Sequence, residues 1–286
     1  MWTMTRTDGT FGDRFLARSA DLGRLCVGMD PHAGILENWG LGVDVAGLRE
    51  FSRICVEAFR ETACVVKPQV AFYEAFGSAG IAVLEESIAT LRGAGVLVIA
   101  DAKRGDIGST MAGYARAWLD DDSPLCSDAV TVSPYLGLSS LDPVVELGER
   151  SGRGVIALAA TSNPSGPQFQ TLDAGDGVSV AQTVVDWAAA GNASRVTAGG
   201  AGNLGVVVGA TVVDPPQLDA VGGLILMPGV GAQGATGEDA DRIAGAAAGL
   251  ACPNMSRSVL AAGPDVGSLT SAVTAASGGF PQVAGA

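Results

Sequence analysis

Only two lysines, Lys67 and Lys103, occur among 286 residues, against 15 arginines. A lysine can give up a proton within reach of neutral pH, and an arginine cannot. A chain that takes nearly all its cations as arginine and keeps lysine twice points to two places where a guanidinium will not serve. Lys103 lies in the run Val96-Leu97-Val98-Ile99-Ala100-Asp101-Ala102-Lys103-Arg104-Gly105-Asp106. An ammonium with a carboxylate on either side, at the end of an apolar run, is a candidate proton donor. Lys67 closes a second apolar run, Cys64-Val65-Val66-Lys67-Pro68-Gln69, and Asp30 ends a third in Gly28-Met29-Asp30-Pro31.

The elements that must hold these groups follow from the alternation of short apolar runs with helical patterns. Strands are expected at 24–30, 64–69, 96–103, 129–134, 154–162, 204–210 and 224–229, with a weaker eighth at 249–256 that Pro253 interrupts. Helices are expected at 44–62, 78–93, 109–120, 139–149, 178–190, 215–220, 238–248 and 268–276, and 191–203 reads as loop. Strand–helix alternation implies parallel β-α-β units. Strands that are apolar on both faces fit a sheet covered on both sides. The expected fold is therefore a single (β/α)8 TIM barrel over 1–286, with 1–10 and 277–286 as flexible ends; an open doubly wound sheet is the alternative.

Alternate side chains of a strand share a face. Leu97, Ile99, Asp101 and Lys103 thus lie together, and if they point into the barrel the last two emerge at its C-terminal mouth, where such barrels place their chemistry. Asp30, Lys67, Asp101, Lys103 and Asp106 would converge there as three acids and two bases, each ammonium stabilised by carboxylate neighbours. A cluster of ion pairs that only closes the barrel is the competing interpretation, although buried pairs are weak stabilisers. After the seventh strand, Met227-Pro228-Gly229-Val230-Gly231-Ala232-Gln233-Gly234 is a Gly-rich loop before a helix, and after the eighth comes Arg257. Backbone N–H groups and a guanidinium at these two strand ends suit a phosphate, although a Gly-rich loop can also be turn chemistry alone.

Composition narrows the partners. A net charge of −13 argues against a nucleic-acid surface, which needs a basic stripe, but not against a small phosphorylated substrate. The five cysteines lack metal-type spacing and read as buried small hydrophobes in a reducing compartment. His32, the single histidine, leaves no multi-histidine metal site. The first residues lack the apolar stretch of a signal peptide, and no run approaches the ~18 apolar residues of a membrane span. A soluble, cytoplasmic protein without nucleic-acid or membrane partners is expected.

With these features in place, the chain resembles the orotidine 5′-phosphate decarboxylase family, in its longer bacterial subgroup often called type 2. The segment Asp101-Ala102-Lys103-Arg104-Gly105-Asp106-Ile107 looks like the family's Asp-x-Lys-x-x-Asp-Ile signature. Gly28-Met29-Asp30-Pro31, Lys67-Pro68-Gln69, Thr161-Ser162-Asn163-Pro164-Ser165-Gly166, 228–234 and Ser256-Arg257-Ser258 follow in family order from about 11 to 275. The resemblance implies conversion of orotidine 5′-phosphate to UMP and CO2 without cofactor or metal. It implies Lys103 as the proton donor to the ring carbon, Asp101 beside the departing carboxylate, and Lys67 and Asp106 completing the charged network. Asp30 and Lys67 would contact ribose hydroxyls, Ser162 the pyrimidine, and Gln233 and Arg257 the phosphate. It also implies a homodimer in which Asp106 and Thr110 reach the neighbouring subunit's site.

Other activities fit the residues less well. The resemblance extends to Mg²⁺-dependent sugar-phosphate lyases of the same suprafamily, but those carry an acid where this chain has Lys67, and a cation there opposes a metal. A Schiff-base aldolase lysine is usually activated by an apolar pocket or a second cation, whereas Lys103 is flanked by acids. A catalytically dead phospho-ligand sensor would have no reason to keep every charged position.

Overall fold

The structure, a computed structural model, describes residues 9–175 and 177–283. Strands β1 (Cys26–Met29), β2 (Val65–Pro68), β3 (Leu97–Arg104), β4 (Ala129–Val132), β5 (Gly154–Ala160), β6 (Leu204–Val208), β7 (Ile225–Pro228) and β8 (Ala251–Met255) pair in parallel in chain order. β8 returns to β1, with Cys26 opposite Asn254, and the barrel is closed. Pro253 costs β8 a ladder donor but does not end it, since Cys252 and Asn254 keep the register to β7 on either side.

The two faces of each strand go to two cores. Cys26, Val65, Leu97, Ile99, Ala129, Ile156, Val207, Leu226 and Cys252 fill the barrel interior. Val66, Val98, Ala100 and Val130 pack outward under the helices. The parity expected for Leu97, Ile99, Asp101 and Lys103 is therefore the observed one. Phe11 and Phe15 belong to the interior core; the Phe11 ring lies against Gly154, the first residue of β5, where a Cβ would come within 2.5 Å of it. The helix Phe11–Leu22, not foreseen from the sequence, thereby stoppers the N-terminal end of the barrel and leaves the other end open. Burying each phenylalanine contributes roughly 1.5–3 kcal/mol.

Three expectations are corrected. The segment 191–203 is not loop throughout, because the helix Val180–Thr197 continues into it. Gly191 is a point of close packing rather than a break, as a Cβ there would come within 2.4 Å of Leu204. The next residue, buried Asn192, donates to the carbonyls of Leu204 and Val221. No helix forms at 215–220, where Pro215 and Pro216 bias Asp214 and Pro215 away from helical backbone. The tail is not frayed over 277–283: Phe280 is buried, its carbonyl accepts from the Arg24 N–H at 2.8 Å, and Arg24 Nε donates to the Pro281 carbonyl at 2.8 Å. Of the expected flexible ends, 1–8 and 284–286 lie outside the described residues.

Candidate active site

The carboxylate of Asp101 is the hub of the open end. Lys67 Nζ donates to its Oδ2 at 2.9 Å, Lys103 Nζ to its Oδ1 at 2.6 Å, and the Thr131 hydroxyl to the same Oδ1 at 2.9 Å. Burial alone would favour neutral Asp101, but the two ammoniums outweigh it and hold the carboxyl well below the usual carboxylate range. Burial likewise disfavours the Lys67 cation, and the Asp101 charge, aided by Asp30, overcomes it and pushes the ammonium above its ordinary range. The two lysines differ in access. The Lys67 side chain is 5% exposed, whereas that of Lys103 is 43% exposed and free to meet a ligand.

Local backbone chemistry aims Lys103. Its φ of 49° is the only positive value at a non-glycine residue among the described residues. The β3–β4 register shifts between Ala100 and Arg104, which places Lys103 in a bulge. Such bulges re-aim a side chain at a strand end. Arg104 then points outward, paired with Glu74 and stacked over the rings of Tyr114 and Trp118 at 5.7 and 5.8 Å. Gly105 lets the chain pass the Ser133 carbonyl, 2.6 Å from where a Cβ would stand.

A cavity of about 360 Å³ covers this hub and extends across the barrel mouth to β7 and β8, within the size range of small-molecule sites. Asp30, Lys67, Asp101, Lys103, Ser162, Gln233 and Arg257 all line it, as do Leu158, Val207 and Leu226. Asp30 Oδ1 and Ser256 Oγ are buried there with no hydrogen-bond partner among the described residues. Buried polar atoms left unpaired are costly, and both face a cavity where a ligand hydroxyl can satisfy them. Gly28 keeps this corner open, since a Cβ would lie 2.6 Å from that of Ser256.

Two of the expected site residues are elsewhere. Asp106 does not line the cavity, and its Oδ1 accepts from the Ile107 N–H at 2.8 Å. Thr110 is exposed on the helix Gly108–Leu119. Within one chain the converging network is thus four residues, not five. The helix after the Gly-rich loop is also not aimed at the cavity: it begins at Gly237, and its first turn is closed by the Thr236–Asp239 capping box. The loop's Gly231 and Gly234 N–H groups bond within the loop, at 2.9 Å each, so neither is free to meet an anion, whereas Gln233 and Arg257 line the cavity. Thr131 was missed from the sequence. Its signal is a polar residue two positions from inward-facing Ala129, on the same face of an otherwise apolar strand.

Comparison with known proteins shows the family. Residues 23–272 match the family model described as orotidine 5′-phosphate decarboxylase / HUMPS family. The orotidine 5′-phosphate decarboxylase of Corynebacterium glutamicum (strain R) is 62% identical over 272 residues, covering 95% of this chain and 98% of that protein. The enzyme of the same name from Streptomyces coelicolor is 52% identical over 263 residues, 92% of this chain and 94% of that one. A crystal structure from Streptomyces avermitilis, provisionally assigned the same activity, superposes with a TM-score of 0.91 at 50% identity over 97% of each chain. The OMP decarboxylase of Leishmania donovani superposes with a TM-score of 0.69 at 30% identity, over 94% of this chain and 99% of that one. The chain belongs to the orotidine 5′-phosphate decarboxylase / HUMPS family.

Proposed function

We propose that this enzyme decarboxylates orotidine 5′-phosphate to UMP and CO2, the final step of UMP biosynthesis, with Lys103 as the proton donor. The observation that carries this reading is the Lys67–Asp101–Lys103 triad at the cavity floor. Loss of CO2 leaves the bonding electron pair on an sp² ring carbon that has no conjugated sink. A cation already in place must stabilise that charge. Lys103, accessible and aimed by its bulge, does so and then transfers its proton to the carbon, to be reprotonated from solvent. Asp101, held ionised by its two ammoniums, lies beside the carboxylate that leaves. Asp30 and Lys67 take the ribose hydroxyls, Ser162 the pyrimidine, and Gln233 with Arg257 the phosphate, whose remote binding energy positions the ring.

The triad also separates this reaction from Mg²⁺-dependent sugar-phosphate chemistry. Both oxygens of Asp101 are engaged by ammonium groups, and Lys67 sits where a metal would need an acid. The test is the loss of orotidine 5′-phosphate absorbance on adding purified protein in a strong chelator. Full turnover is expected, and activity restored only by Mg²⁺ would refute the reading.

The working unit is a homodimer in which Asp106 and Thr110 complete the partner's site. Both stand outside their own cavity, and Ile107 between them in sequence, like Tyr135 and Leu136 after β4, is exposed apolar surface suited to burial. Mixing Lys103→Ala and Asp106→Ala proteins, each inactive alone, gives heterodimers with one intact site. Random exchange of equal amounts predicts recovery to about a quarter of wild-type activity; no recovery after verified exchange would count against the shared site. The cytoplasm is the expected location. Five cysteines that are all free and buried suit a reducing compartment, and no helix among the described residues is long and apolar enough to cross a membrane.

A further inference from the structure

We infer that Thr131 is a positioning residue for catalysis, a clamp whose hydroxyl holds both the backbone and the charged head of Lys103 in the reactive geometry. Thr131 Oγ1 accepts the Lys103 backbone N–H at 2.9 Å and lies 2.9 Å from Asp101 Oδ1. The direction of each bond is fixed by chemistry, because an amide N–H can only donate and an ionised carboxylate can only accept. The hydroxyl proton therefore points to Asp101, and an oxygen lone pair receives Lys103. Since Asp101 Oδ1 in turn accepts from Lys103 Nζ at 2.6 Å, Lys103 is tied at both ends to one threonine–aspartate unit.

The bulge explains why a side chain is needed there. Register is regular up to Ala100↔Val130 and resumes at Arg104↔Val132, so the extra residues of β3 lack regular ladder partners. Thr131, fully buried on β4, takes the N–H that the ladder would otherwise have bonded. A non-glycine residue at positive φ is strained and persists only where its surroundings over-determine it; Thr131 is one of those determinants.

This role rests on the decarboxylase reading, which wild-type turnover tests separately. Three variants are assayed for kcat, KM, UMP affinity by calorimetry and melting temperature. Thr131→Val keeps the shape and removes the hydroxyl, while Thr131→Ser and Thr131→Ala share the loss of the methyl and differ only in the hydroxyl. Expected is a fall in kcat of roughly 10–100-fold in Thr131→Val and Thr131→Ala, as for a catalytic group displaced by a fraction of an ångström. UMP affinity should stay within about threefold, and Thr131→Ser should regain kcat to within about fivefold of wild type. If the valine variant does not fold, the serine–alanine pair decides alone. The role is overturned if kcat is unchanged without the hydroxyl, if serine is as impaired as alanine, or if UMP affinity falls in step with kcat. Wild-type protein without turnover would instead refute the decarboxylase reading itself.

Discussion

Lys103→Ala is expected to lower turnover of orotidine 5′-phosphate by roughly 10⁴-fold or more, because in the proposed mechanism one side chain supplies both the electrostatic stabilisation and the proton. UMP binding should weaken far less, by about tenfold or under, since the ribose and phosphate contacts proposed for Asp30, Gln233 and Arg257 are untouched. The variant should also fold well. The Lys103 side chain is 43% exposed, so its loss opens no cavity, and Asp101 keeps Lys67 and Thr131 as partners. An absorbance assay of turnover and a UMP titration check both halves. Near-wild-type turnover would remove Lys103 from the mechanism. Turnover and UMP affinity lost together would make it a binding residue.

What the sequence disclosed about this site, and what it withheld, has a physical pattern. The barrel was legible because its strands are buried on both faces, which leaves apolar runs such as 96–100 that punctuation then separates. Lys67, Asp101 and Lys103 were legible because a charge that ends such a run has few reasons to be there other than chemistry. Thr131 was not, because a β-branched residue inside a strand is what strand propensity alone would choose. Only the bulge of β3 turns its hydroxyl into a tether. Gly191 misled in the opposite direction: glycine reads as a helix break, yet here it admits Leu204 against the helix. The helix carrying Phe11 and Phe15 was invisible because its role is to stopper a barrel that exists only once eight strands have closed. Asp106 follows β3 in a loop, as expected, but one chain does not carry it to its own cavity.

Asp101→Asn tests the hub itself, and its largest effect should be on stability as well as on rate. The substitution preserves shape and leaves an acceptor for Thr131, so what it removes is the charge. Lys67, 5% exposed, then remains buried, with the field of Asp30 as the main one left to oppose its desolvation. Stranding a buried charge in this way costs about 3–5 kcal/mol. The pH dependence distinguishes this cause from general loosening. In the wild type, Asp101 is held below its ordinary 3.8, so its contribution is present above that pH and is lost as pH falls through the folded value. Lys67 is held above its ordinary 10.5, so its contribution is present below that pH and is lost only as pH rises through the folded value. Between about pH 5 and pH 10 the pair should therefore leave wild-type stability nearly flat. In Asp101→Asn, burial becomes the dominant influence on Lys67 and its folded value drops below 10.5. The unfolded chain then binds more protons than the folded one over that interval, and stability rises with pH. Urea denaturation at about pH 6 and about pH 9.5 should show the variant recovering part of its deficit at the higher pH while the wild type hardly changes. A variant as stable as wild type at neutral pH, or one whose deficit does not shrink with rising pH, would mean that the Asp101 charge is not what keeps Lys67 ionised in the barrel.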